Sequence, residues 1–283
     1  MSVTPIAYQI ITDRITKLLE EGTCPWVKPW NRESGLPRNL FSQRPYRGIN
    51  VWMLGAQNYG SPFWATFGQV EKAGGRVKKG EKSTPIVFWK VTEYEGDDGP
   101  KKGFILRYYN VFCAPQIEGI AIPVLEEDPI FSHTPIEVCE KVVGNYPNRP
   151  TLLHGDSRAY YRPSTDCIVM PDMTAFPQVS GYYATLFHEM THSTGHPDRL
   201  NRDTLKDAVR FGDRSYAREE LVAELGAAYL CGVCGIENDV IDNSAAYLKG
   251  WLSVLRNDIK MLVTAAGQAQ KAVDHILGTT GDE

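Results

Sequence analysis

No apolar run in the sequence approaches the roughly 18–20 residues that a membrane span requires. The first residues, MSVTPIAYQIITDRI, lack a basic flank followed by an apolar signal core, so the expected location is cytoplasmic, with no membrane partner. Cysteine is scarce. Cys24, Cys113, Cys139, Cys167, Cys231 and Cys234 are too few and too scattered to staple a chain of 283 residues, which excludes a disulfide scaffold. Cys231-x-x-Cys234 has no second pair and no thioredoxin-like strand–helix–strand context, so it reads as small side chains at a buried helix end. There is no internal repeat or low-complexity tract, and 42% hydrophobic against 23% charged residues excludes wholesale disorder.

What is present is unevenly divided. Up to Leu125 there are 16 Lys and Arg against 11 Asp and Glu, a net of +5, which leaves 14 against 23, a net of −9, for the remainder. Trp26, Trp30, Trp52, Trp64 and Trp89 also fall in the first part, and one tryptophan follows. AIPVLEEDPIFSHTPIE interrupts any periodic pattern with prolines and acidic residues, as a connection between domains would. The expected division is a first domain at 1–126, itself α+β, a linker at 127–133 and a second domain at 134–283, in a chain of α+β class.

Ile6, Ile10, Ile11, Ile15, Leu18 and Leu19 fall near a 3.6-residue stripe, predicting an opening amphipathic helix stopped at Gly22. NVWMLGAQNYG and TFGQVEKAGG suit helices. TPIVFWKVTEY and GFILRYYNVFC are rich in β-branched and aromatic residues around the turn-prone EGDDGPK, predicting an antiparallel hairpin. In the second part a helix is expected over TPIEVCEKVVGNY and two short strands over AYYRPSTDCIVMPD. Further helices are expected over GYYATLFHEMTHSTG, SYAREELVAELGAAYLCGVCG and the stretch ending VDHIL.

His188-Glu189-x-x-His192 carries the chemistry. Residues four apart share a helix face, so His188 and His192 can offer two imidazoles to one ion, and Glu189 can reach a water beside it as general acid/base. Such a site takes zinc or another divalent ion and normally needs a third protein ligand. Two candidates compete. Glu220 follows His192 by 28 residues on the next expected helix, with Glu224 one turn on to orient a histidine from behind. Asp198 fits H-E-x-x-H-x-x-G-x-x-D, and His196 is a weaker option. The stretch E-L-V-A-E resembles the glutamate helix of gluzincin peptidases, which favours Glu220. DCIVMPD is expected to be an edge strand along the cleft, open to an extended peptide around Ile168–Met170, with Tyr160, Tyr161 and Tyr183 as candidate polar helpers.

In the first part, basic residues stand beside aromatics or glycine in WVKPW, PRN, QRPYRGIN and GGRVKKGEK. Cations for phosphates and flat rings for bases suit a single strand better than a duplex. The candidate contacts are Lys28, Trp30, Arg38, Arg44, Tyr46, Arg47, Lys78, Lys79 and Lys82.

PRN, RPYRGIN, SPFWATFGQVEKAGGRVKKGEKS, PIVFWK and YYNVFCAPQIEG, followed by YYATLFHEMTHSTGHPDRLNR and REELVAELGAAYL, resemble the ArdC-type antirestriction proteins of conjugative plasmids. The same segments are similar to the N-terminal regions of plasmid DNA primases of that group. The resemblance covers nearly the whole chain. It implies a single-stranded-DNA-binding N-terminal domain, a zincin-like metallopeptidase domain, and protection of incoming plasmid DNA from restriction during conjugation; joining the two domains gives a protein held on or near that DNA as the expected substrate. It further implies His188, His192 and Glu220 as ligands and Glu189 as the catalytic glutamate. Cys113 stands where such proteins often carry Asn.

Overall fold

The hairpin foreseen over TPIVFWKVTEY and GFILRYYNVFC forms in the computed structural model, which describes residues 6–26, 36–57, 59–96, 99–123, 135–207, 214–236 and 245–279. The linker expected at 127–133 and the contacts expected from Lys28 and Trp30 lie outside the described residues.

α1 (Ile6–Glu20) opens the chain and buries Ile11, Ile15 and Leu19, the stripe set by its apolar spacing. β1 (Arg38–Asn39), α2 (Ile49–Gly55) and β2 (Phe63–Thr66) follow. Thr66 and Gln69 form a capping box that starts α3 (Phe67–Lys72). Then come β3 (Arg76–Val77), β4 (Thr84–Gly96), β5 (Gly99–Cys113) and β6 (Ile117–Glu118). A four-stranded sheet has the order β1-β2-β5-β4, with the parallel pair β1-β2 at one edge, and β3 pairs with β6 separately.

In the second part α4 (Pro135–Asn145) leads into β7 (Thr151–His154), β8 (Tyr160–Arg162) and β9 (Cys167–Met170), ordered β7-β9-β8. The edge expected at Ile168–Met170 is therefore corrected. β9 is buried along its whole length between a parallel and an antiparallel neighbour, and its short apolar run fits a central strand. The antiparallel edge is β8. Helices complete the chain: α5 (Val179–Ser193), α6 (Asp203–Asp207), α7 (Arg214–Cys234), α8 (Ala245–Asn257) and α9 (Met261–Leu277). None of the described helices is long and apolar enough to cross a membrane.

The fold is α+β, and one apolar cluster runs through both the first and the second part. It joins Ile11, Trp26, Trp52, Val87 and Leu106 to Phe187, Leu225, Leu255 and Val273. Trp26 meets Trp251 edge-on at 6.2 Å, and Trp52 meets Tyr229 at 6.4 Å. Trp26, Trp52 and Trp64 are thus core residues, whereas Trp89 is half exposed. All six cysteines are buried and free, including Cys231 and Cys234.

Candidate metal centre

α5 and α7 pack closely, and Gly226 of α7 lies tight against Thr191 of α5. A Cβ there would lie 2.5 Å from Thr191 Cγ2 and 2.7 Å from its Oγ1. Thr191 sits inside the H-E-x-x-H turn of α5, so this contact holds α7 against that turn.

Across it, His188, His192 and Glu220 bring three ligand atoms together. The two histidine Nε2 atoms are 3.1 Å apart, and Glu220 carboxylate oxygens lie 3.5 Å from each. Donors about 2.1 Å from a tetrahedral ion are spaced about 3.4 Å from one another, so the set fits a divalent ion without rearrangement. Glu189 projects beside the cluster, 8% exposed.

A carboxylate stands behind His192, and it is Glu219. His192 Nδ1 lies 3.3 Å from Glu219 Oε1. Arg202 donates to the same carboxylate at 2.6 and 3.2 Å, and its guanidinium also reaches the Thr191 carbonyl at 2.8 Å. Thr204 Oγ1 donates to Glu219 at 2.5 Å. Burial works against the charged form of Glu219, yet bonds from His192 and Arg202 hold its pKa down to about 2. For His192, burial favours the neutral ring, but Glu219 and Glu220, with the charge of Glu189, raise the pKa to about 10. Glu220 is half-buried, and the two histidines hold it well below the usual carboxylate range.

The acceptor behind His192 is thus Glu219 and not Glu224, the carboxylate expected to orient a histidine. On α7 Glu224 faces Trp26 Nε1, which donates at 3.0 Å, and Tyr247, whose hydroxyl also donates to it. Burial raises its pKa. Asp198, the alternative ligand, lies outside the cluster: its side chain is 85% exposed, and its backbone N–H donates to His196 Nδ1 at 3.2 Å. The candidate helper tyrosines have other partners. Tyr160 donates to Asp156, Tyr161 to Asp166, and Tyr183 to Glu140.

Sequence reasoning missed Glu219, Arg202 and Tyr216. The doubled carboxylate Glu219-Glu220 was the available signal, since a ligating histidine needs an acceptor on its second nitrogen. Tyr216, one turn before Glu220, hydrogen-bonds that carboxylate; burial, together with the charges of Glu220 and Glu189, raises its pKa to about 12.

The basic candidates of the first part separate into groups. Arg38, Arg44 and Tyr46 share the turn beside β1, where the Asn39 N–H donates to the Arg44 carbonyl at 2.9 Å. Lys78, Lys79 and Lys82 are exposed on the loop before β4, which Gln116 fastens through the Lys82 carbonyl at 2.9 Å. Arg47 points elsewhere and pairs with Asp274 on α9.

Residues 6–112 match the family described as the N-terminal domain of anti-restriction factor ArdC, and residues 146–268 match the zincin-like metallopeptidase family. The crystal structure of antirestriction protein ArdC from plasmid R388 is similar in its metal-free form, with 37% identity, a TM-score of 0.73, and coverage of 95% of this chain and 96% of that one. Its Mn(II)-bound form gives 38% identity and a TM-score of 0.74, covering 96% and 97%. DNA primase TraC of Escherichia coli is 36% identical over 95% of this chain, which spans only 27% of the primase. An uncharacterized protein of Sinorhizobium fredii, y4eC, is 33% identical, covering 94% of this chain and 90% of that protein.

Proposed function

The chain belongs to the family of ArdC anti-restriction factors, and on that premise we propose that it protects incoming plasmid DNA from restriction during conjugation. In this reading the first region binds single-stranded DNA, and the second carries a metal-dependent peptidase centre that acts on a protein held near that DNA. The observation that carries the peptidase half is the convergence of His188, His192 and Glu220 with Glu189 at their side. A zincin-like region and a Mn(II)-bound relative support a divalent ion there, with zinc as one candidate.

His188 and His192 would hold the ion through Nε2, and Glu220 through its carboxylate. A bound divalent ion supplies Lewis acidity, polarising a peptide carbonyl and acidifying water. Glu189 takes the proton from the attacking water and returns it to the leaving nitrogen. Glu219 accepts from His192 Nδ1–H and so keeps Nε2 directed at the ion. The edge strand β8 offers backbone groups to an extended substrate.

The test pairs two measurements on the full-length chain. Single-stranded oligonucleotide should bind in preference to its duplex, with affinity falling as salt rises. Glu189→Ala should keep its metal yet lose protection of a plasmid transferred into a restricting recipient. No binding at moderate salt would overturn the DNA half. Undiminished protection by the metal-loaded Glu189→Ala chain would remove the catalytic half and leave a DNA-binding protector with a structural ion.

A further inference from the structure

The hairpin β4-β5 carries an exposed aromatic and basic face outside the metal centre and outside the basic loops. Direct partners in an antiparallel pair project to the same side, so Ile86 with Tyr109, Phe88 with Arg107, and Lys90 with Ile105 share one face. Val87 and Leu106 alternate to the other side and enter the main apolar cluster. The first face is therefore the one turned away from that core.

Phe88 is 49% exposed and Tyr109 43%, with ring centroids 5.4 Å apart and planes inclined at 59°. Arg107 stands directly opposite Phe88, and Lys90 lies one pair further along; both are exposed. Among the described residues neither cation has a carboxylate partner. Toward β2 the same side of the sheet is covered, with Ile86, Val111, Cys113 and Trp64 buried in a second apolar cluster packed by Tyr46 and Tyr59. Beyond it lie β1, which begins at Arg38, and the turn after it, which bears Arg44.

A soluble protein seldom leaves adjacent aromatic rings in water without a use. Rings flanked by unneutralised cations suit a ligand with flat apolar faces and a repeating negative charge. Single-stranded nucleic acid has both, whereas the bases of a duplex are already stacked on one another. We propose that this face holds single-stranded DNA, with bases stacking on Phe88 and Tyr109 and phosphates meeting Arg107 and Lys90. The proposal rests on the reading of the chain as a single-strand binder and assigns that binding to a surface.

The experiment uses the full-length chain and a labelled 20-nucleotide oligothymidine, with circular dichroism and metal content as fold controls. Each lost stack is worth about a 5- to 150-fold factor in affinity. Phe88→Ala with Tyr109→Ala should therefore weaken binding at least about tenfold, and Phe88→Trp with Tyr109→Trp should retain it. Arg107→Ala and Lys90→Ala should each lower the log–log salt slope by about 0.7. If the double alanine variant does not fold, Arg107→Glu decides in its place, and binding must fall while the fold controls stay native. Unchanged affinity in a folded double variant, with wild type binding, overturns the face and leaves the single-strand reading standing. Wild type failing to bind overturns both. A dimer that dissociates on the double substitution while oligonucleotide affinity holds would make the face a self-association surface and also overturn the proposal.

Discussion

Arg202 Nη2 lies 2.6 Å from Glu219 Oε1, and the two side chains, 3% and 2% exposed, form a buried ion pair directly behind His192. The guanidinium also takes the Thr191 carbonyl at the end of α5, so one cation ties the helix that carries both histidines to the helix that carries Glu220. The strength of this pair lies less in its Coulomb energy than in the cost of breaking it, because either partner alone would be a buried, unpaired charge.

Arg202→Met should therefore destabilise the chain by about 3–5 kcal/mol in denaturant titration. Glu219→Gln keeps the shape and should weaken divalent-metal affinity about 10- to 100-fold with all three ligands intact. Wild-type affinity in that variant would show that His192 does not depend on the carboxylate.

Glu220→Ala should strip the metal, and Asp198→Ala should leave it. Metal content of the two purified variants decides between them, since the exposed Asp198 carboxylate lies outside the ligand cluster. Full occupancy in the first variant and loss in the second would reverse the assignment.

Gly226→Ala tests the helix contact. A methyl group 2.5 Å from Thr191 Cγ2 must push α7 away from α5, because Thr191 is itself fully buried. Overpacking of this kind costs about 1–3 kcal/mol, and here it should also lower metal affinity. Gly226→Ala combined with Thr191→Ser, which removes the methyl in the way, should recover part of both. Wild-type thermal stability in the single variant would contradict the contact.

Metal binding should release protons. In the metal-free chain His192 titrates near pH 10, so it is charged at pH 7, and an ion requires the neutral ring. The sign follows from the raised value. The charged ring stabilises the metal-free fold fully below its unfolded pKa of about 6.5, and that stabilisation is lost as pH rises through about 10. Apparent metal affinity should accordingly climb with pH over the same range. Titration calorimetry in two buffers of different ionisation enthalpy measures the proton count directly, and heats independent of buffer would refute it.

Trp26→Phe should cost about 1–3 kcal/mol by withdrawing a donor from the buried Glu224, while metal affinity stays near wild type. A large loss of metal would instead assign Glu224 to the ligand set.

Much of this was readable locally. The apolar stripe of α1, the β4-β5 hairpin and the helix bearing His188 and His192 follow from short periodic patterns, each satisfied by its own segment. The central position of β9 was not readable, because a four-residue apolar run looks the same at an edge as in the middle until its neighbours are placed. Trp89 and Phe88 were equally ambiguous, since an aromatic residue in a strand serves a core or a surface according to which side the sheet buries.

The acidic residues of α7 divide the two kinds of information most clearly. Helical spacing alone turns each residue about 100° from the last, so Glu219 and Glu220 had to point in different directions, and Glu224 had to stand one turn beyond Glu220. Which direction met an ion site, which met Arg202 and which met Trp26 depended on α5, on the loop after it and on the first region of the chain. Those partners lie 17 to 198 residues away. Spacing acts within one helix turn and is written in the sequence, whereas the partner of each carboxylate is chosen only when distant segments pack and every buried charge must find its counterpart.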